Sequence, residues 1–365
     1  MRPLPLLLLL AACGASSSAA PPSPAPRPGP DLGDGVGVYT SGPRAFRTHS
    51  FWIAGPEGTV LIDTQFTPSE ALRAKAAAER ATGQPVTHAL VLHANPDKFN
   101  GTPALQTAGV EVWTATSVAA AIPEVDAIRR RWFEARYAPD YPAETPAPTP
   151  FPDHTETLQL AGLRLRVHVL GPGVSTAQLV VEHAGHLFVG DLLANGHHAW
   201  MELGDLDAWR ARLDELAALS PRWLHPGRGA SGGPELLRAQ RAYFDRVEAL
   251  VRAHPDASTA TLRAEVEEAF PELGHPVFLR VGLPAVRRWL QQRPPSAASP
   301  SAPSSSEPGS PASGSSASGS SEPGSSEPGS SARSSDPRPS ASAAAPAPPS
   351  ARGRGPGPLS AAARA

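Results

Sequence analysis

Over residues 31–293 the sequence predicts an α/β fold, a sandwich of two sheets covered by helices. Short apolar runs alternate with helix-patterned stretches, the β-α-β order of a layered α/β architecture. Four strand-like segments then crowd into residues 158–189 and helices follow, so strand-rich and helix-containing halves repeat in order. The span, on the order of 260 residues, suffices for one large domain or two small ones.

Each element has a local reason. Segments 50–54 and 59–63 are apolar runs around Gly55-Pro56-Glu57-Gly58, a strand–turn–strand pattern. Thr67-Pro68-Ser69-Glu70 opens a helix: Thr67 and Glu70 have capping-box spacing, and Pro68 stands at the first helical position, where its missing N–H costs nothing. An alanine-rich stretch carries the helix to Thr82, and Gly83 stops it. Segment 86–92 reads as a buried strand, followed by a loop, a helix near 103–108 and a strand at 110–114. A charged helical piece, 126–136, precedes a Pro-rich crossing. The crowded strands are 158–160, 163–170, 178–182 and 186–189. Leu206, Trp209, Leu213 and Leu216 step by three or four, one face of an amphipathic helix. A short strand at 223–225 and helices at 234–253, 262–270 and 284–292 complete the domain.

The flanks differ in composition. Residues 1–12 have the build of a secretory signal: Arg2, an apolar run and small residues at its end. The run is too short for a transmembrane helix, which takes about 20 apolar residues. Leu10-Ala11-Ala12-Cys13 resembles the lipobox of bacterial lipoproteins, which implies a lipidated Cys13 and a membrane anchor; a generic signal peptide with an incidental cysteine is the alternative. Gly14, in place of the aspartate that retains lipoproteins at the inner membrane, points to the outer membrane. Cys13 is the only cysteine, so the chain has no internal disulfide and no other thiolate for a metal. Residues 13–30 read as an Ala/Ser/Pro-rich tether. Residues 294–365, with SEPGS beginning at Ser306, Ser321 and Ser326, lack the apolar surface to offset ordering entropy and read as a disordered tail. A formal net charge of −2 gives no case for nucleic-acid binding.

The loop after strand 86–92 carries the chemistry. Residues 91–101 read VLHANPDKFNG. Tight loops at strand ends gather imidazoles and carboxylates around zinc, and the pattern H-x-H-x-D-H-x-x-G does so with three histidines and an aspartate. Here His93, Asp97 and Gly101 remain, while Asn95 and Lys98 stand at the other two histidine positions. Four further segments lie in order with it: VLIDT at 60–64, GPGVS at 171–175, FVGDLLANG at 188–196 and HPGRG at 225–229. With these five landmarks the chain resembles the metallo-β-lactamase superfamily.

That resemblance implies an αββα sandwich with a metal site at one edge, between the sheets. It places one zinc at His93, Asn95 and Val174, and a second at Asp97, Lys98, Asp191 and Arg228. An asparagine carbonyl is a poor zinc ligand, valine is none, and one imidazole does not replace three. Lysine and arginine are cations rather than ligands. No intact dinuclear zinc site is therefore expected, and at most one weakly bound zinc, with His93, Asp97 and Asp191 as its residual candidates. Two carboxylates facing two cations form a self-neutralising cluster, with Lys98 and Arg228 supplying the positive charge a metal would bring. His197 and His198 follow on a loop that borders the cleft in relatives, and are candidates for substrate contact or for a new metal geometry. His225 reads as a loop or core histidine, and His88, His183 and His186 as structural. Ser175 and Thr176 fall near His93 and Asp97 by analogy, but no G-x-S-x-G elbow surrounds them.

Two functions follow as expectations. One is a hydrolase-like pocket acting on a small ester, amide or thioester through a non-standard centre at His93, Asp97 and Asp191, with Asp97 as the catalytic candidate. The other is a pseudoenzyme that binds a small molecule or an envelope partner, with Lys98 and Arg228 offering an anion site.

Overall fold

The computed structural model describes residues 32–293. The signal segment, Cys13, the tether and the tail lie outside the described residues. Eleven strands form two sheets among the described residues.

The first sheet runs β1 (Val36–Thr40), β2 (His49–Gly55), β3 (Gly58–Ile62), β4 (Val86–Leu90), β5 (Glu111–Ala115), β6 (Thr149–Phe151), each paired with the next. β1, β2 and β3 are antiparallel, and β3 to β6 are parallel, joined through helices. Those helices are α1 (Pro68–Thr82), then α2 (Pro96–Phe99) and α3 (Thr102–Thr107), then α4 (Thr116–Tyr137). The second sheet runs β7 (Glu156–Leu160), β8 (Leu163–Leu170), β9 (Gln178–His183), β10 (His186–Gly190), antiparallel throughout, and ends in β11 (Trp223–Pro226), parallel to β10 across the helix α5 (Leu206–Ala218). α6 (Glu235–Ala253), α7 (Thr259–Ala269) and α8 (Leu279–Gln292) complete the described residues.

Two apolar clusters hold these layers. The first joins Phe51, Ile53 and Leu61 of one sheet to Leu165, Val167, Val181 and Phe188 of the other, and continues to Ala71, Ala74 and Ala78 of α1. Every residue of β3 is buried, as expected of a strand covered on both faces. The second cluster packs Val180, Leu187 and Val189 against Leu206, Trp209, Leu213 and Leu216 of α5 and against Phe244, Val247 and Leu283 of the later helices. Helix–sheet–sheet–helix is the expected sandwich.

Some local details depart from the pattern. Thr67 caps α1 by accepting from the Glu70 N–H at 3.3 Å, but the Glu70 carboxylate takes the Tyr39 hydroxyl and Arg73, so only half of the capping box forms. Gly83 ends α1 at φ 68°, where a side chain would be strained. α4 begins ten residues before the expected start and contains Pro123, and α8 contains Pro284 instead of starting there. Burial of Val118 and Ile122 beside one proline, and of Leu283 and Ala285 beside the other, outweighs a single lost backbone hydrogen bond.

Candidate functional site

At the strand ends between the two sheets, four buried charged side chains, Asp97, Lys98, Asp191 and Arg228, meet beside a fifth titratable group, Asp63. Asp63 follows β3 directly, and its backbone adopts φ 67°, turning its carboxylate back under the loop that follows β4. Asp63 Oδ1 accepts the Leu92 N–H at 2.9 Å, and Oδ2 lies 3.8 Å from Lys98 Nζ. The four-residue helix α2 carries Asp97 and Lys98. The Thr64 N–H and hydroxyl each donate to the Lys98 carbonyl at 2.8 Å, tying α2 to the end of β3. Asp191 follows β10 directly, and Arg228 lies two residues beyond β11.

Lys98 Nζ lies 2.9 Å from Asp191 Oδ1 and 3.1 Å from Asp97 Oδ2. Arg228 donates from Nη1 to Asp191 Oδ2 at 2.7 Å and from Nη2 to Asp97 Oδ2 at 2.5 Å, so each cation bridges both carboxylates. The Arg228 Nε–H donates to the Phe46 carbonyl at 3.0 Å, and Thr48 Oγ1, 3.2 Å from Nη2, donates to Asp97 Oδ2 at 3.2 Å. None of the four is more than 5 % exposed. The pairing of Lys98 and Arg228 with Asp97 and Asp191 follows the expectation from sequence.

Burial opposes the charge on these groups and the partners restore it. Burial alone would raise the Asp97 and Asp191 carboxyls, but Arg228 and then Lys98 hold Asp97 below its ordinary value and Asp191 well below. Burial alone would lower Lys98, and Asp191, Asp97 and Asp63 reverse it. Asp63, with Lys98 only at 3.8 Å, is not compensated: burial pushes it up to about 7. With a proton on Asp63, two anions face two cations.

The remaining candidates are placed as follows. His93 is wholly buried. Its Nδ1 lies 2.9 Å from Ser175 Oγ, its Nε2 is 3.9 Å from Asp191 Oδ2 without a hydrogen bond, and burial lowers it to about 4. Val174 does not face it; this side chain is buried in the second apolar cluster, and the side chain that reaches His93 is that of Ser175. Asn95 stands at the N-cap position of α2 without a side-chain capping bond and lines the cleft above the ion cluster, while Thr176 is exposed. His197 and His198 do not join His93. His197 lies edge-on to His275 and Phe278, its Nδ1 2.9 Å from the His198 carbonyl, and His198 Nδ1 lies 3.2 Å from the Tyr243 hydroxyl.

Above the cluster opens a cleft of about 400 Å³, including its solvent-open part, with Asp97, Asp191 and Arg228 at its floor. Phe46, Phe66, Phe133, Trp200 and Phe278 form its walls. Arg129 of α4 enters the same cleft, between the faces of Trp132 and Trp200 at 4.4 and 5.3 Å, paired through Nη2 with Glu202 and leaving a buried Nη1 without a partner among the described residues. The sequence showed Asp63 only as part of a landmark, and neither the aromatic walls nor Arg129 stood out; the walls come from segments far apart in the chain, which no local pattern joins.

The sequence profile described as the metallo-beta-lactamase superfamily matches residues 43–228. The chain belongs to the metallo-beta-lactamase superfamily. Among solved structures, a metallo-beta-lactamase family protein from Thermus thermophilus is similar in fold, with 22 % identity, a TM-score of 0.54, and coverage of 71 % of this chain and 94 % of that one. A metallo-beta-lactamase from Pontibacter korlensis is 23 % identical, with a TM-score of 0.45, over 58 % of this chain and 95 % of that one. No curated protein sequence matches significantly. The zinc that the metallo-beta-lactamase family implies does not suit this donor set. Lys98 and Arg228 each pair with both carboxylates, and among the described residues no group of three or more His, Cys, Asp or Glu side chains is placed to hold a metal ion.

Proposed function

We propose that this domain is a metal-independent member of its superfamily, in which Lys98 and Arg228 replace the metal charge and the aromatic cleft binds a small molecule with an apolar body and an acceptor oxygen. The observation that supports this reading is the double bridging of Asp97 and Asp191 by both cations, which leaves neither carboxylate free to ligate or to act as a base. The rings of the cleft suit an apolar body, and the unpartnered Arg129 Nη1 suits an acceptor oxygen. Metal content by elemental analysis, on protein purified without chelator, is expected to show no stoichiometric zinc. Two zinc ions per chain, lost in Asp97→Ala, would overturn the reading. Trp200 reports on the cleft: phenylacetamide is expected to quench its fluorescence in the wild type and much less in Arg129→Leu, and equal quenching in both denies Arg129 the role.

A second reading, a residual hydrolase of small esters, amides or thioesters centred on His93, Asp97 and Asp191, is favoured by one observation. His93 is a neutral imidazole with a free Nε2 and a serine on Nδ1. Its test is loss of any measured hydrolysis in His93→Asn. For the N-terminal segment, outside the described residues, the proposal is a lipoprotein anchored through Cys13 at the cell envelope, on the outer membrane.

A further inference from the structure

A second polar array lies outside the cleft. His225 of β11 is 1 % exposed; its Nδ1 lies 2.8 Å from Ser231 Oγ, and its Nε2 2.8 Å from Nδ1 of His186 on the neighbouring strand β10. His186 Nε2 in turn lies 3.1 Å from Asp34 Oδ2. The two imidazole planes differ by 6°, so the rings meet edge to edge in one plane.

The direction of the bonds in this chain follows from His186 Nε2 donating to Asp34 rather than accepting from Arg222. An ionised carboxylate only accepts. Hydrogen bonds from His186 and then Arg222 hold Asp34 below its usual range, so it is ionised and the proton sits on His186 Nε2. Arg222 donates to the same Asp34 oxygen and stands 3.2 Å from that nitrogen, a second donor sharing one acceptor. His186 Nδ1 is then a bare lone pair and accepts from the His225 Nε2–H. His225 Nδ1 is bare in turn, and the Ser231 hydroxyl donates to it. Burial, with smaller contributions from His186 and His49, lowers His225 to about 3 and keeps its ring neutral at rest.

We propose that Ser231 is a nucleophile, with His225 as its base and His186 and Asp34 as positioning residues, in a metal-independent site for esters of apolar acids. Ser231 opens on a groove of about 870 Å³, including its solvent-open part, whose walls include Leu32, Val38, Phe51 and Trp223, surfaces suited to an acyl chain. Ser231 Oγ attacks the ester carbonyl carbon while its proton passes to His225 Nδ1. The His225 Nε2 proton can move to His186 Nδ1, which puts the positive charge beside Asp34 instead of leaving it in the apolar interior. The carbon–oxygen bond to the leaving group breaks, the departing alcohol takes the proton from His225 Nδ1 as the His186 Nδ1 proton returns to His225 Nε2, and an acyl-serine remains. Water then adds to the acyl carbon by the same proton path, releasing the acid and restoring Ser231. Among the described residues the Ala230 and Ser231 backbone N–H groups donate to no carbonyl, which makes them the donors available to the developing oxyanion.

The site is independent of the ion cluster, and its test uses the full chain with a fluorophosphonate probe and p-nitrophenyl butyrate. The probe is expected to label Ser231, mapped by peptide mass spectrometry, at up to one per chain. Ser231→Ala is expected to abolish labelling and to lower hydrolysis roughly a hundredfold or more. Asp34→Asn, at a part-exposed position that need not disturb folding, is expected to lower kcat and shift its pH profile with KM little changed. Labelling that avoids Ser231, a label on Ser175 instead, or wild-type hydrolysis by Ser231→Ala would each overturn the proposal. So would hydrolysis abolished by a chelator.

Discussion

Lys98 is an ammonium with no exposed surface, held charged by carboxylates at 2.9 and 3.1 Å. Removing one partner from such a cluster leaves uncompensated buried charge, at a cost of about 3–5 kcal/mol. Lys98→Ala and Arg228→Ala are each expected to lose stability of that order in urea denaturation, and wild-type midpoints would show that the cluster carries little of the fold. Asp63 gives a prediction with the opposite sign from its neighbours. Its folded pKa is raised to about 7, so the folded state keeps a proton that the unfolded chain releases above its ordinary carboxyl range near 4. Its contribution to stability is therefore full at acid pH and declines as pH rises from about 4 through 7. Asp97 and Asp191, being depressed, lose their contributions only as pH falls below that range. Asp63→Asn, which tolerates a left-handed backbone, is expected to flatten the decline between pH 4 and 7; an unchanged slope would place that titration elsewhere. At this scale the sequence disclosed Asp97, Lys98, Asp191 and Arg228, since their types and spacing could be compared position by position. It did not disclose Asp63 as a member of the cluster, because burial and a turn at positive φ brought it there.

Among the elements, the segments around the site leave little room for change. A Cβ on Gly227 would lie 2.1 Å from Asp191 Oδ1 and 2.5 Å from Lys98 Nζ, so the chain after β11 is pressed against the ion cluster. On Gly101 it would lie 1.8 Å from the Thr64 carbonyl oxygen, which fixes α2 and α3 against β3. These contacts bear on any attempt to install a metal. The set Asn95→His, Lys98→His, Arg228→His with Ser175→His is expected to take up zinc, as read by elemental analysis. The same set with Val174→His in place of Ser175→His is expected to unfold more readily, because Val174 belongs to the apolar cluster around Leu192. Equal zinc uptake and stability in the two sets would contradict this placement. Periodicity and capping marked most helices and strands to within a few residues. They missed β1, whose VGVYT directly follows a glycine-rich stretch, and also α2, one turn inside the loop, and β6, three residues in a Pro-rich stretch, the last two being too short to show a period. They also cut α4 and α8 at prolines that apolar burial overrides.

For the whole molecule, the layered order of strands and helices was legible because both sheets build from neighbours in the chain; the cleft was not, because its walls come together only on folding. If Cys13 carries lipid, the mature protein is expected to fractionate with membranes and a Cys13→Ser variant to appear in the soluble fraction. Equal membrane association of the two would point to another means of attachment. The paired cations at the sheet edge also bear on how the fold responds to its surroundings. An ion held from solution contributes RT ln(1 + [ion]/Kd), so a domain that relies on one becomes less stable as the ion is diluted or sequestered. Lys98 and Arg228 arrive with the chain at fixed stoichiometry, and no competitor can titrate them away. The expected signature is a melting temperature that is the same in a strong chelator and in excess zinc: a fold whose stability does not depend on metal supply.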